Sequence, residues 1–321
     1  MKILKLTLGL IALICFANVQ TAHAVAFLTG DVFASVASGN VKHYRADGTF
    51  LETLNIGASG YTTGMAFDAA GNLYVTGFSV NTVAKFDTNG TLLGNFISSG
   101  LSTPESIVFD NAGDAYVSSV GGSGIKKYSS TGTLLGTTPI GRVDWMDLQA
   151  DQKTMLYTQE GSVVKAVDVS TNTPLANFSN DPGLVGNEAF ALRILSDGSV
   201  LLADGEDVKH LDAAGNEIQS YDVSGENTWF ALNLDPDGTS FWSGNFGSAN
   251  LYKFDIASGA NLQNINTGTG SSTLYGVGIF GEKTQGCTDC GGGTHPVPEP
   301  LSLALLGGGL GFLKLRRKVQ A

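Results

Sequence analysis

Basic residues, histidine, methionine and cysteine are all scarce in this chain, which carries 18 Lys plus Arg, 4 His, 4 Met and 3 Cys in 321 residues. Six of the basic residues sit at the two ends, so residues 25–297 hold 28 acidic against 12 basic groups, a formal charge near −16. Nucleic acid is thereby excluded as a partner, because binding phosphate relies on Lys and Arg to displace counterions. Few methionines beside 43 glycines exclude long helices. Between residues 25 and 282 the only histidines are His43 and His210, each in a Val-Lys-His run. Lys85, Lys127 and Lys253 fill the same slot elsewhere, so these histidines read as structural. No HExxH, G-x-S-x-G or Walker loop is present. The one compact cysteine pair, Cys287-Thr288-Asp289-Cys290, has only His295 nearby and falls short of a four-ligand zinc site. Outside the cytosol it is expected to close as a local disulfide.

What is present is repetition. Phe67-Asp68-Ala69-Ala70-Gly71-Asn72-Leu73-Tyr74-Val75 returns as Phe109-Asp110-Asn111-Ala112-Gly113-Asp114-Ala115-Tyr116-Val117, offset by 42 residues. Asn89-Gly90-Thr91-Leu92-Leu93-Gly94 returns at the same offset as Thr131-Gly132-Thr133-Leu134-Leu135-Gly136. A fixed period of this size marks a repeat architecture. Each unit reads as four short strands with Asp, Asn and Gly at the corners, where positive φ and side-chain-to-backbone bonds are needed. A radial arrangement leaves few exposed strand edges, so the expected fold is an all-β propeller. Five units span 61–100, 101–140, 141–185, 186–226 and 227–272. A sixth is split: strands near Asp31, Asn40 and Phe50 await a first strand returned from Tyr275-Gly276-Val277-Gly278-Ile279-Phe280. Reading residues 25–28 as a further first strand gives a seven-bladed alternative.

The blade phrases Thr103-Pro104-Glu105-Ser106-Ile107-Val108-Phe109-Asp110 and Gly71-Asn72-Leu73-Tyr74-Val75-Thr76 resemble those of the NHL, YVTN and regucalcin/gluconolactonase propellers. This resemblance covers most of residues 27–281 and implies architecture more than activity.

Both ends read as export signals. Lys2 and Lys5, an apolar stretch over 6–19 and Ala22-His23-Ala24 form a secretory leader cut after Ala24, so residues 1–24 are a signal peptide. At the other end Val297-Pro298-Glu299-Pro300 precedes an apolar run over 301–313 and the basic cluster Lys314-Leu315-Arg316-Arg317-Lys318. That run is short of the roughly 20 residues a membrane-spanning helix needs. Its basic end would stay cytoplasmic. The Pro298, Glu299, Pro300 triplet with Arg316, Arg317 and Lys318 resembles the PEP-CTERM sorting signal of Gram-negative bacteria that make exopolysaccharide. The resemblance implies transient anchoring in the inner membrane over 297–321, cleavage by an exosortase, and release to the surface or matrix. The expected organisation is a signal peptide to 24, a propeller over 25–282, a Gly/Cys linker over 283–296 and the sorting signal from 297.

Ligand chemistry is expected where the loops entering each first strand meet the central channel. Tyr61, Glu105, Asp144, Trp145, Asn187, Glu188, Trp229 and Tyr275 stand there, aromatic planes beside carboxylates and an amide that suit a sugar or a cation. The functional expectation is an exported, non-enzymatic binding or scaffold propeller associated with exopolysaccharide or biofilm, with signal peptidase and exosortase as processing partners and no required cofactor. The resemblance to regucalcin-type propellers implies the alternative, a lactonase or hydrolase using a divalent metal such as calcium. Glu105, Asp144, Asn187 and Glu188 are its candidate ligands by residue type and blade position. They show no residue-by-residue match to that group's ligand motif.

Overall fold

The computed structural model describes residues 25–179, 188–288 and 290. The leader, Asn187 and the sorting tail lie outside the described residues. Strands β1 (Val32–Val36), β2 (Asn40–Tyr44) and β3 (Phe50–Asn55) are followed by the blade β4 (Thr62–Phe67), β5 (Leu73–Gly77), β6 (Thr82–Phe86) and β7 (Leu92–Ile97). The next blade comprises β8 (Ile107–Phe109), β9 (Ala115–Val117), β10 (Ile125–Tyr128) and β11 (Leu134–Thr138). After it come β12 (Met146–Leu148), β13 (Thr154–Tyr157), β14 (Lys165–Asp168) and β15 (Thr173–Pro174). Two more blades are β16 (Leu192–Ile194), β17 (Val200–Ala203), β18 (Val208–Leu211), β19 (Glu217–Tyr221), and β20 (Trp229–Leu234), β21 (Ser240–Asn245), β22 (Asn250–Asp255), β23 (Asn261–Asn266). The final strand, β24 (Leu274–Ile279), pairs antiparallel with β1, Ile279 opposite Val32. The described residues thus form six four-stranded antiparallel sheets.

The fold is an all-β six-bladed propeller. The first-strand slot beside β1 is occupied by β24, which rules out the seven-bladed alternative. Residues 25–28 form no strand. Phe27 instead donates its N–H to the Thr88 carbonyl at 2.9 Å and packs its ring among Phe33, Phe67 and Phe280.

The corners explain the repeat. Asp68 Oδ1 accepts the Ala70 and Asn72 N–H groups at 3.0 and 2.9 Å, while Gly71 takes φ +82°. Asp110 does the same for Ala112 and Asp114, and Asp212 for Ala214 and Asn216. An aspartate that bonds its own turn makes each hairpin self-supporting. A second recurring device ties the third strand to this corner. Lys127 pairs with Asp110 at 2.9 Å, Lys253 with Asp235 at 2.8 Å, and His43 with Asp31 at 2.9 Å. His210 holds Ser199 at 2.9 Å in the same slot. Both histidines are therefore braces within blades.

Around the axis the first strands approach closely where glycine allows it. Gly64 donates its N–H to the Glu105 carbonyl at 2.6 Å, and a Cβ at 64 would lie 2.3 Å from that oxygen. Gly276 faces the Thr63 carbonyl in the same way, at 2.1 Å from its would-be Cβ. These contacts draw β24, β4 and the segment entering β8 together.

Past β24 the chain turns under the ring. Glu282 is buried, accepts from Arg193 Nε at 3.0 Å and from Asn233 Nδ2 and the Leu234 N–H at 2.6 and 2.7 Å. Gly286 sits against Leu148 and the Phe109 carbonyl. A Cys287–Cys290 disulfide, Cα atoms 5.3 Å apart, is buried in the same apolar cluster as Ile107 and Phe109. Residues 283–288 and 290, expected as part of a Gly/Cys linker, thus plug the corner-side end of the channel together with Glu282.

Candidate functional site

Adjacent strands of a blade run in opposite directions, so the loops entering first strands and the loops between second and third strands emerge on one face. The corners described above occupy the other. On the first face the channel opens as a cavity of about 230 Å³ lined by Tyr61, Thr63, Phe78, Glu105, Val120, Arg142, Glu160, Phe230, Phe246 and Tyr275. Six blades converge here, and five of them contribute side chains.

One side of the mouth is aromatic. Tyr61 and Tyr275 lie with ring centroids 4.6 Å apart, and Tyr275 meets Phe246 at 5.6 Å. Phe246 continues to Phe230 at 6.1 Å, and Phe230 to Phe190 at 4.9 Å. Tyr61 remains 46 % exposed, so a flat apolar face is presented to solvent.

The other side is charged. Glu105 is 4 % exposed, and its carboxyl lies beside that of Asp144. Burial first, and the Asp144 charge second, hold the Glu105 carboxyl well above the ordinary glutamate range. Burial also pushes Asp144 up to about 6, against the pull of Arg142. Arg142 Nε reaches both Asp144 oxygens, at 2.8 and 3.0 Å, and its guanidinium also pairs with Glu160. The backbone is fixed from behind: Ser118 Oγ donates to the Asp144 carbonyl at 2.7 Å, and Gln159 donates to that of Arg142. The wall therefore holds three carboxyl groups and one guanidinium.

Of the residues singled out from sequence, Tyr61, Glu105 and Tyr275 line the cavity, and Asp144 lies directly behind Glu105 and Arg142. Trp145 and Trp229 do not reach the mouth; they are 2 % and 0 % exposed. Trp229 is wedged between Tyr252 and Phe254 and donates to Asp222 at 3.1 Å. Trp145 packs beneath Phe230 at 5.8 Å. Their large rings follow the inter-blade packing that buried aromatics ordinarily serve. Glu188 is exposed and does not line the cavity. Phe78, Arg142, Glu160 and Phe246 escaped sequence reasoning. Three of them follow second strands, whose outgoing loops share this face, and that strand-direction rule would have found them.

Of the four candidate metal ligands, Asn187 lies outside the described residues and Glu188 does not line the cavity. Both oxygens of Asp144 are taken by a guanidinium, which is itself a cation. Burial and the neighbouring Asp144 raise the Glu105 carboxyl above the ordinary glutamate range, and among the described residues no group of three His, Cys, Asp or Glu side chains converges on one point. A larger concavity, about 610 Å³, lies on the corner face beside the plug. Its carboxylates are already committed: Asp197 accepts from Ser199, Asp235 from Trp242, and Asp255 from Ser258. The mouth is the stronger candidate.

No family model and no curated protein sequence matches the chain. Among solved structures, a chain of a nidogen/laminin complex superposes with TM-score 0.63 at 14% identity, over 77% of this chain and 97% of that one. The WD40 β-propeller domain of Doa1 superposes with TM-score 0.58, also at 14% identity, over 77% and 81%. At such identity the likeness extends to the propeller fold alone.

Proposed function

We propose that this chain is an exported, non-enzymatic binding propeller that holds a segment of exopolysaccharide at the channel mouth and is delivered by an exosortase-type system to the cell surface or matrix. The observation that carries the binding reading is the mouth itself, a cavity with an aromatic arc on one side and a carboxyl–guanidinium wall on the other. Flat rings stack on the C–H faces of sugars, and a few fixed polar groups orient their hydroxyls; such a mixture is characteristic of small-ligand sites. Polarity of the ring supports the delivery reading. Both ends of the described domain, Phe27 near Thr88 and Cys290 near Phe109, lie on the corner face, opposite the mouth. A chain held by its tail would keep the mouth pointing away from the membrane. The leader and the Pro298-Glu299-Pro300 tail supply the addressing.

Titration calorimetry of the purified mature protein with fragments of the host polysaccharide tests the binding half. Tyr61→Ala combined with Tyr275→Ala should weaken binding by about tenfold or more, since stacking on an aromatic plane contributes on the order of 1–2 kcal/mol. Equal binding by the double variant would sink the assignment to the mouth. Intact-mass measurement of the released protein tests the other half: it should begin at Val25 and end near Pro298, and a full-length tail would contradict exosortase processing.

A further inference from the structure

We infer that the channel mouth selects an amine-bearing sugar, a 2-amino-pyranose unit with a free ammonium group, over its N-acetylated or neutral counterparts. This rests on the reading of the mouth as a polysaccharide site and names the sugar class it takes.

The inference comes from a charge count within the cavity. Arg142 is shared between Asp144 and Glu160. Glu105, the buried carboxyl that lines the cavity wall, forms no ion pair among the described residues: the Arg142 guanidinium acts on it only from a distance, and the Asp144 carboxyl beside it repels its charge. A buried acid whose partner is a second acid is the place in this wall where an incoming cation gains most. An ammonium seated against Glu105 pairs with its carboxylate and relieves the repulsion from Asp144. The opposite wall suits the same group. Tyr61 and Tyr275 present ring faces, and cations are drawn to such faces when desolvated. The rest of the sugar ring stacks on the arc that continues through Phe246.

Other ligand classes fit less well. A uronic acid would bring a carboxylate to a wall with three carboxyls and a guanidinium already engaged twice. Capping the amine with acetyl removes the charge and adds bulk to a cavity of about 230 Å³, below the roughly 300–1,000 Å³ usual for drug-sized ligands. A bare metal ion would use only half of the mouth. The body's net charge near −16 favours approach of a polycation over a polyanion.

Calorimetry with the mature protein and three tetrasaccharides tests this: β-1,4-linked glucosamine, its fully N-acetylated form, and cellotetraose. The glucosamine tetramer should bind at least about tenfold tighter than the other two, about 1.4 kcal/mol. Glu105→Gln, whose amide can still donate to Asp144, should bring the three to within about threefold of one another. Glu160→Gln, at the exposed rim, should reduce the preference partway, and it gives a result even if the Glu105 variant fails to fold. Equal binding of the three sugars by the wild type overturns the amine preference and leaves the polysaccharide reading standing. Binding of none of them, nor of the host polysaccharide, overturns both. A preference that survives both carboxyl substitutions places the ammonium elsewhere and also overturns the inference.

Discussion

At the residue scale, this propeller spends its carboxylates in two opposite ways. Corner aspartates such as Asp168, Asp212 and Asp255 accept hydrogen bonds from their own turns, which hold them below the ordinary aspartate range. Asp147 is different. It is fully buried beside the channel, accepts the Ile194 N–H at 2.9 Å, and burial pushes it up to about 6 despite the nearby Arg193. An unfolded aspartate titrates near 3.9. Between about pH 4 and 6 the native state therefore keeps a proton that the unfolded chain has lost. The stability this contributes is present below that window and is lost as pH rises through it. Asp144, also raised to about 6, acts in the same direction. The corner aspartates act oppositely, since their contribution is lost as pH falls below about 4. Urea unfolding should accordingly show greatest stability near pH 4–5. Asp147→Asn should flatten the decline from pH 5 to 7 by up to about 1.3 kcal/mol. An unchanged slope in that variant would show that Asp147 titrates normally. None of this was legible in sequence, where Asp147 is one acid among 29 acidic residues. By contrast, the corner role of Asp68, Asp110 and Asp212 was plain from the glycine three residues on.

At the scale of elements, the unexpected piece is the segment after β24. Its Gly and Cys composition has no periodicity, so it read as a spacer. In the fold it is the channel's plug, fixed by Glu282 to Arg193, Asn233 and the Leu234 N–H. Removing one partner of a buried ion pair strands the other, at a cost of about 3–5 kcal/mol. Glu282→Ala should lower the urea midpoint accordingly, and the plug should become open to proteolysis after Lys283, read by mass spectrometry. A stable variant with an uncut plug would show that the disulfide and Gly286 suffice to hold it. The same scale explains the misplaced tryptophans. Loop position alone says which end of a blade a residue occupies, whereas the pleat says whether it points to the axis or between blades. Trp229, at the first position of β20, turns between blades, while Phe230, at the bulge where the register shifts between Trp229 and Ala231, lines the mouth. A one-residue difference in pleat decides which ring meets a ligand.

At the scale of the whole molecule, the ring and its closure were readable because they follow from repeat length and turn chemistry. The 42-residue offset, the corner residues and the orphan first strand near Tyr275 already implied six blades joined by the C-terminal strand. The mouth was half readable. Tyr61, Glu105, Asp144 and Tyr275 could be placed from the loops entering first strands, but Arg142, which engages both Asp144 oxygens, could be recognised only from its distance to that carboxylate. The described residues form two unlike faces, with Phe27, Cys290 and the plug on one and the aromatic and acidic mouth on the other. The most direct test is hydrogen–deuterium exchange of the full mature chain, free and saturated with host polysaccharide. The account predicts slower exchange in the segments around 61–65, 76–80, 103–107, 142–145, 158–161 and 244–247, all at the mouth. Protection confined to the corner face or to the outer strands β7, β11 and β19 would contradict it.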